Sequence, residues 1–277
     1  MLIDAFNFFC EKEIVELRMK YLNEVVDCFV VIEADVTHQG KKKDWNFPDL
    51  LNNDLKEFTH KIQYHQIKID LEEAHRGLGD INEHFKGGYS FKIDNMQRNY
   101  VQKACNKFSP NDIIIFSDLD EIPSKQILLF IKSCEFETIA PIALEQDFFH
   151  LNCNYLKNES WKGSIIVTKK IIDRFLPQEL RNWRNRVSCF IKSGWHFSSF
   201  GGAERVIKKM ESYAHLEYND EAYKNIEHIK NCQKTGADLF KRDTEIAKSK
   251  KVTRDFFPKD LLILMDKNKN FYFGQNN

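Results

Sequence analysis

Four adjacent apolar residues, Ile113-Ile114-Ile115-Phe116, followed at once by Ser117-Asp118-Leu119-Asp120-Glu121-Ile122-Pro123, restrict this chain more than any other feature. A short continuous run rich in β-branched residues suits a strand buried on both faces, as in parallel sheets covered by helices. Asp118, Asp120 and Glu121 then fall where that strand would emerge at its carboxyl end, the edge at which open α/β sheets bind ligands. Asp118 and Asp120 are two apart, so in an extended chain both point to one side. Converging carboxylates repel unless a cation lies between them, and hard oxygen donors suit Mg²⁺ or Mn²⁺. An Asp-x-Asp pair alone arises easily on any surface, and the buried strand before it is what gives it weight.

The amino-terminal residues supply the rest of a β-α-β frame. Met1 to Phe9 reads as a strand with Asp4 its only charge, Glu11 to Leu22 as an amphipathic helix carrying Ile14, Leu17 and Tyr21 on one face, and Val25 to Ala34 as a second buried strand. Such a unit brings the loops after its strands to one side, so Glu33 is a candidate for the same cleft as Asp118. Further elements are expected as a helix over Leu50 to Phe58, a strand over Lys61 to Ile69, a flexible glycine-rich connection from Gly77 to Ser90, and a helix from Asp94 to Lys107 carrying Arg98. Beyond the acids, Ser124 to Ser133 reads as a helix, Ile139 to Phe149 as a strand with Glu145 and Asp147 at alternate positions, and Ser164 to Thr168 and Val187 to Ile191 as short strands. Arg174, Arg181, Arg184 and Arg186 lie between the last two and read as basic surface, with a path for an anionic donor as the alternative. The segment from Ser193 to Glu204 mixes aromatics, glycines and His196 without periodicity and is expected to be a loop, followed by a helix from Ala203 to Tyr213. The remainder, from Tyr218, reads as helical and charged.

Composition excludes several classes. Lys plus Arg and Asp plus Glu are both 41, so net charge gives no reason to expect nucleic acid or an anionic membrane surface as partner. The 7 cysteines are scattered and lack a C-x-x-C, which points to reduced thiols and not to a disulfide framework or zinc site. No apolar run approaches the roughly 20 residues of a membrane helix, and the expected setting is the cytoplasm, with peripheral association at the inner face of a membrane allowed. Glycines are present, but Gly-Lys-Ser/Thr is not, so a phosphate loop is excluded.

A cation held beside a diphosphate would neutralise charge on a departing group. A third ligand is then wanted, from His196 or His215, and transfer to a hydroxyl needs a base. Glu204 is the first choice, because its glycine-rich approach leaves room for a substrate and the first helical turn favours a carboxylate. Glu145, Asp147 and Glu217 are the others.

Asp4-Ala5-Phe6, Glu16-Leu17-Arg18, Val25-Val26-Asp27, Phe29-Val30-Val31 with Glu33, Thr37 and Gly40, then Asp118-Leu119-Asp120-Glu121-Ile122-Pro123, and finally Gly194-Trp195-His196 with Glu204 and Lys208 or Lys209, together resemble glycosyltransferase family 17 from about Asp4 to Arg242. The resemblance implies an α/β GT-A fold, in which a Rossmann-like, mainly parallel central sheet is flanked by helices. It also implies Mn²⁺ or Mg²⁺ dependence, a UDP-sugar donor, N-acetylglucosamine as the expected sugar, and inversion at the anomeric carbon. Carried over, Asp118, Asp120 and His196 would hold the metal, Asp118, Glu33 and Arg98 the donor, and Glu204 would activate the acceptor. The expected organisation is one catalytic domain over 1–247, with a nucleotide-sugar half at 1–123, an acceptor half at 124–247, and an extension at 248–277. Richness in Lys, Asn, Ile and Phe points to a microbial or viral source, and so to a glycan or glycolipid acceptor such as a bacterial surface polysaccharide or lipopolysaccharide. A nucleotidyltransferase or phosphate hydrolase using the same metal site, or a binding module without catalysis, are the competing readings.

Overall fold

The computed structural model describes residues 1–76 and 88–272, and the expected glycine-rich connection falls outside them as far as residue 87. In chain order the regular elements are β1 (Leu2–Phe8), α1 (Lys12–Leu22), β2 (Cys28–Ala34), α2 (Phe47–Asn52), β3 (Ile62–Ile67), α3 (Leu71–His75), α4 (Gly88–Ala104), β4 (Ile113–Asp118) and β5 (Glu121–Pro123). There follow α5 (Lys125–Ser133), β6 (Ile142–His150), β7 (Tyr155–Thr168), α6 (Lys169–Ile172), α7 (Pro177–Asn182), β8 (Ser188–Phe190), β9 (Gly194–Ser198), α8 (Ala203–Met210), α9 (Ile226–Thr235), β10 (Ser249–Lys251) and α10 (Lys259–Met265).

The strands form one sheet in the order β3-β2-β1-β4-β7-β6-β9-β5, with β10 beside β7 and β8 beside β6. Its first half, β3-β2-β1-β4, is parallel throughout, the Rossmann-like part read from the sequence. The long β7 runs antiparallel to β4 and β6, while β9 lies parallel to β6. Side-chain alternation divides the apolar residues between two cores. Leu2, Phe6, Phe29, Val31, Ile115 and Ile166 face one side beneath α1, and Ile3, Ala5, Val30, Ile32, Ile114 and Val167 face the other, toward α4. On α4 the buried residues Ser90, Ile93, Gln97, Val101 and Ala104 recur at helical spacing and cover that second face.

Three expectations need correction. The Ser193 to Glu204 segment is not all loop: Gly194–Ser198 is strand β9, with Trp195 and Phe197 turned into the first core and His196 and Ser198 turned to the opposite face. Its period-2 signal spans only five residues and is masked by the flanking glycines and serines. The helix expected over Leu50 to Phe58 instead begins at Phe47, with Pro48 in its first turn, and ends at Asn52 before a separate 3-10 turn at Lys56–Lys61. Beyond Tyr218 the chain is only partly helical, and β10 joins the sheet while Leu261 and Met265 of α10 enter the first core. All seven cysteines are free thiols.

Candidate active site

The turn between β4 and β5 is held from below by Arg18. This residue sits on the apolar face of α1 and is wholly buried, as is its partner Asp4 on β1. Its Nε and Nη2 donate to the two Asp4 carboxylate oxygens at 2.8 and 2.6 Å, and Nη2 also donates to Ser117 Oγ at 2.6 Å. Nη1 donates to the carbonyl oxygens of Asp118, Leu119 and Glu121 at 3.0, 3.0 and 2.8 Å. A charge inside a buried strand requires a partner, so Asp4 carried a signal in the sequence. Arg18, four residues after Ile14 on the apolar face, was the residue that answered it.

Glu121 turns inward and is fully buried. Its carboxylate accepts the Asp118 N–H at 3.0 Å, the Trp161 Nε1–H at 2.6 Å and both terminal nitrogens of Arg181 at 2.7 and 3.0 Å. The backbone passes so close here that a Cβ on Gly163 would stand 1.8 Å from Glu121 Oε1. Arg181 then bridges outward to Asp118 Oδ2 at 2.7 Å, while Arg98 on α4 donates to Asp118 Oδ1 at 3.0 Å. Arg98 is itself gripped by both oxygens of Asp94, at 2.9 and 3.0 Å, and by Gln178. Of the four arginines read as basic surface, Arg181 is therefore a buried part of the site.

Asp120 lies one step along. Lys209, in the last turn of α8, donates to its Oδ2 at 2.8 Å, and His196 Nε2 lies 3.4 Å from its Oδ1. The β5–β9 ladder sets that meeting, because Glu121 pairs with His196 in register. The imidazole is flanked by Phe148, stacked at 4.8 Å, and Trp161 at 4.7 Å. Burial alone would raise both aspartic acids; Arg181 and Arg98 beside Asp118, and Lys209 and His196 beside Asp120, hold both well below the usual carboxylate range. Both are ionised at neutral pH.

These groups open into a cleft of about 260 Å³ at the carboxyl ends of β1, β2 and β4. The first turns of α4 form one wall and the segment after α8, Ser212 to His215, another. The Gln39 side chain donates to the Met210 and Tyr213 carbonyls, and Ser90 Oγ donates to that of Ala214, tying this second wall to the loop after β2 and to α4.

Of the residues expected at the site, Asp118, Asp120, His196 and Arg98 meet there. Glu33 does not line the cleft: fully buried, it accepts N–H groups of Asn46 and Phe47 at 2.8 and 3.1 Å and the Tyr64 hydroxyl at 2.6 Å, and it pairs with Lys43, which fixes the segment before α2. Glu204 does not line it either, since the first turn of α8 turns this side chain to solvent. Glu145 pairs with Lys162 at 3.2 Å, and neither it, Asp147 nor Glu217 faces the cleft. His215 lies on the cleft wall, but its Nδ1 meets Glu217 at 2.7 Å, which leaves His196 as the imidazole beside Asp120.

The expected metal trio is also incomplete. Among the described residues there is no group of three or more His, Cys, Asp or Glu side chains placed to hold a metal ion, and each Asp118 oxygen is occupied by an arginine. Asp120 Oδ1 and His196 Nε2 do converge, with His196 Nδ1 buried and unpartnered. With phosphate oxygens from a substrate, the Asp120 carboxylate fits Mg²⁺ or Mn²⁺, and His196 would add a softer nitrogen donor that Mg²⁺ takes less readily. Trp161 and Glu11, which both line the cleft, were not singled out by sequence reasoning, whereas Arg18 entered only within a family-resembling segment and Arg181 only among the four arginines read as basic surface.

Residues 1–256 match the sequence model described as Glycosyltransferase family 17. The curated relatives include the β-1,4-mannosyl-glycoprotein 4-β-N-acetylglucosaminyltransferases of Rattus norvegicus and Homo sapiens, each 30% identical over 132 residues, 47% of this chain and 23% of the relative. The match thus spans about a quarter of those proteins. Among solved structures, HddC from Yersinia pseudotuberculosis is 13% identical with a TM-score of 0.39, covering 69% of this chain and 90% of that one. The galactosyltransferase LgtC, solved with donor and acceptor sugar analogues, is 12% identical with a TM-score of 0.35, covering 68% and 66%.

Proposed function

This chain belongs to glycosyltransferase family 17, and from that premise we propose that it moves a sugar, N-acetylglucosamine being the first choice, from a UDP-sugar to a hydroxyl of a glycan or glycolipid, with inversion. The observation that carries the reading is the convergence of Asp118, Asp120, Arg98, Lys209 and His196 on one cleft at the carboxyl ends of parallel strands. A nucleotide diphosphate needs fixed cationic donors there, and a bound Mn²⁺ or Mg²⁺ at Asp120 and His196 would supply Lewis-acid neutralisation of its charge.

Inversion needs one base and no covalent intermediate. Among the described residues, four carboxylates line the cleft: Glu11, Asp94, Asp118 and Asp120. The last three are held in ion pairs, by Arg98, by Arg98 and Arg181, and by Lys209. A carboxylate so clamped is a poor proton acceptor. Glu11 accepts the Cys10 N–H at 3.0 Å on one oxygen and has no ion pair among the described residues, so the base role falls to it.

The donor reading is tested by thermal unfolding with ligands. UDP with Mn²⁺ is expected to raise Tm more than ADP, CDP or GDP with Mn²⁺, and EDTA to remove most of the rise. No UDP-dependent rise would sink the reading.

A further inference from the structure

Among the described residues, the lysines and arginines lining the cleft are Lys43, Arg98 and Lys209. Two of them meet several acceptors within the fold, although Arg98 Nε is buried without a partner. Lys43 is held by the buried Glu33 carboxylate and the Asp44 carbonyl, and Arg98 by Asp94, Asp118 and Gln178. Lys209 is different. Its ammonium carries three donors, and among the described residues its one hydrogen-bond partner is Asp120 Oδ2 at 2.8 Å. The side chain keeps 23% of its surface exposed, and its flexible stem leaves the last turn of α8 directly into the cleft. A diphosphate arriving at Asp118 and Asp120 meets two ionised carboxylates, and the charge of Arg98 and Arg181 is already balanced by Asp94, Asp118 and Glu121.

On the UDP-sugar reading given above, we infer that Lys209 is a catalytic residue that donates its remaining N–H bonds to the leaving diphosphate while keeping its contact with Asp120. In the step, the acceptor oxygen bonds to the anomeric carbon as its proton passes to the Glu11 carboxylate. The bond from the anomeric carbon to the β-phosphate oxygen breaks, and its electron pair stays on that oxygen, so one negative charge grows on the diphosphate. An ammonium fixed within reach stabilises that growing charge more than it stabilises the bound donor. Because Lys209 also holds Asp120, this single side chain links the order of the Asp-x-Asp loop to the fate of the leaving group.

The test measures binding of UDP, UMP and uridine by calorimetry, and transfer by UDP release, for wild type, K209M, K209Q and K209R. K209Q keeps an N–H for Asp120, so a folding failure of K209M leaves the question answerable. Uridine affinity is expected to stay at the wild-type level in the Met and Gln variants, while UDP affinity falls about 10- to 100-fold, the effect of losing hydrogen bonds to a charged group. Turnover is expected to fall roughly 10²- to 10³-fold, and K209R to recover part of the UDP affinity. Variants that bind UDP as wild type does, or that lose uridine and UDP equally, would overturn the inference alone. A wild-type protein that does not prefer UDP to uridine would overturn the donor reading and this inference with it.

Discussion

Replacing Arg18 by Met separates what the buried pair does for folding from what it does for the site. Arg18 and Asp4 are both wholly buried, so R18M leaves the Asp4 carboxylate without its countercharge. Removing one partner of a buried ion pair typically costs about 3–5 kcal/mol. For chains of roughly this size each kcal/mol lowers Tm by about 2–4 °C, so the drop should lie between about 6 and 20 °C. Circular dichroism during heating, with urea unfolding as a check, measures it. The double variant D4L/R18M removes the stranded charge and should regain much of that stability, since apolar replacements of buried pairs are often neutral. UDP affinity should not return with it, because the carbonyls of Asp118, Leu119 and Glu121 still lack the donor that gathers them. If R18M loses less than about 1 kcal/mol, or if D4L/R18M restores both stability and UDP binding, Arg18 does not organise the turn as argued.

E11Q retains an oxygen for the Cys10 N–H, so it should fold and bind UDP normally while transfer falls at least about 10²-fold; E204Q should match wild type, and steady-state assays of the pair decide between them. Acid stability offers an independent check away from the cleft. Burial would raise the Asp238 carboxyl, but hydrogen bonds from Arg242 and the charge of Lys157 pull it down from 3.8 to about 2. A lowered folded value means that its contribution is complete above the unfolded value and is lost as pH falls from there toward about 2. Urea midpoints measured across that window should decline less steeply in D238N than in wild type.

The parallel half of the sheet was legible because its signals are local. Continuous apolar strands, a helix with a clear face and acids at a strand end each need only a short window. The same strand-end signal misled at Glu33, which lies one rung beyond the level of Asp118, so that its side chain faces the other side of the sheet and its carboxylate is consumed by the loop before α2. Glu204 was misplaced for a related reason: the glycines at 201 and 202 do open the backbone, with φ of 116° and 88°, but the helix they start points its second residue outward. Arg181, Lys209 and Arg18 were hard to assign because their partners lie 63, 89 and 14 residues away. No periodicity encodes such pairings; only the rule that a buried charge must be matched hints that they exist.

The short β5–β9 ladder has a consequence for how sequences of this kind can change. Glu121, Ile122 and Pro123 are matched rung for rung with His196, Trp195 and Gly194. Strand side chains alternate, so a one-residue insertion or deletion in either segment would exchange His196 for Trp195 at the cleft and send the imidazole into the core. The acidic turn and the histidine strand are therefore a single cassette, divided in the chain but indivisible in the sheet. A chimera that imports one half from a relative should bring the other half as well, together with β6, β7 and α7 between them, because these pair with β4 and β9 and carry the Trp161 and Arg181 that hold Glu121.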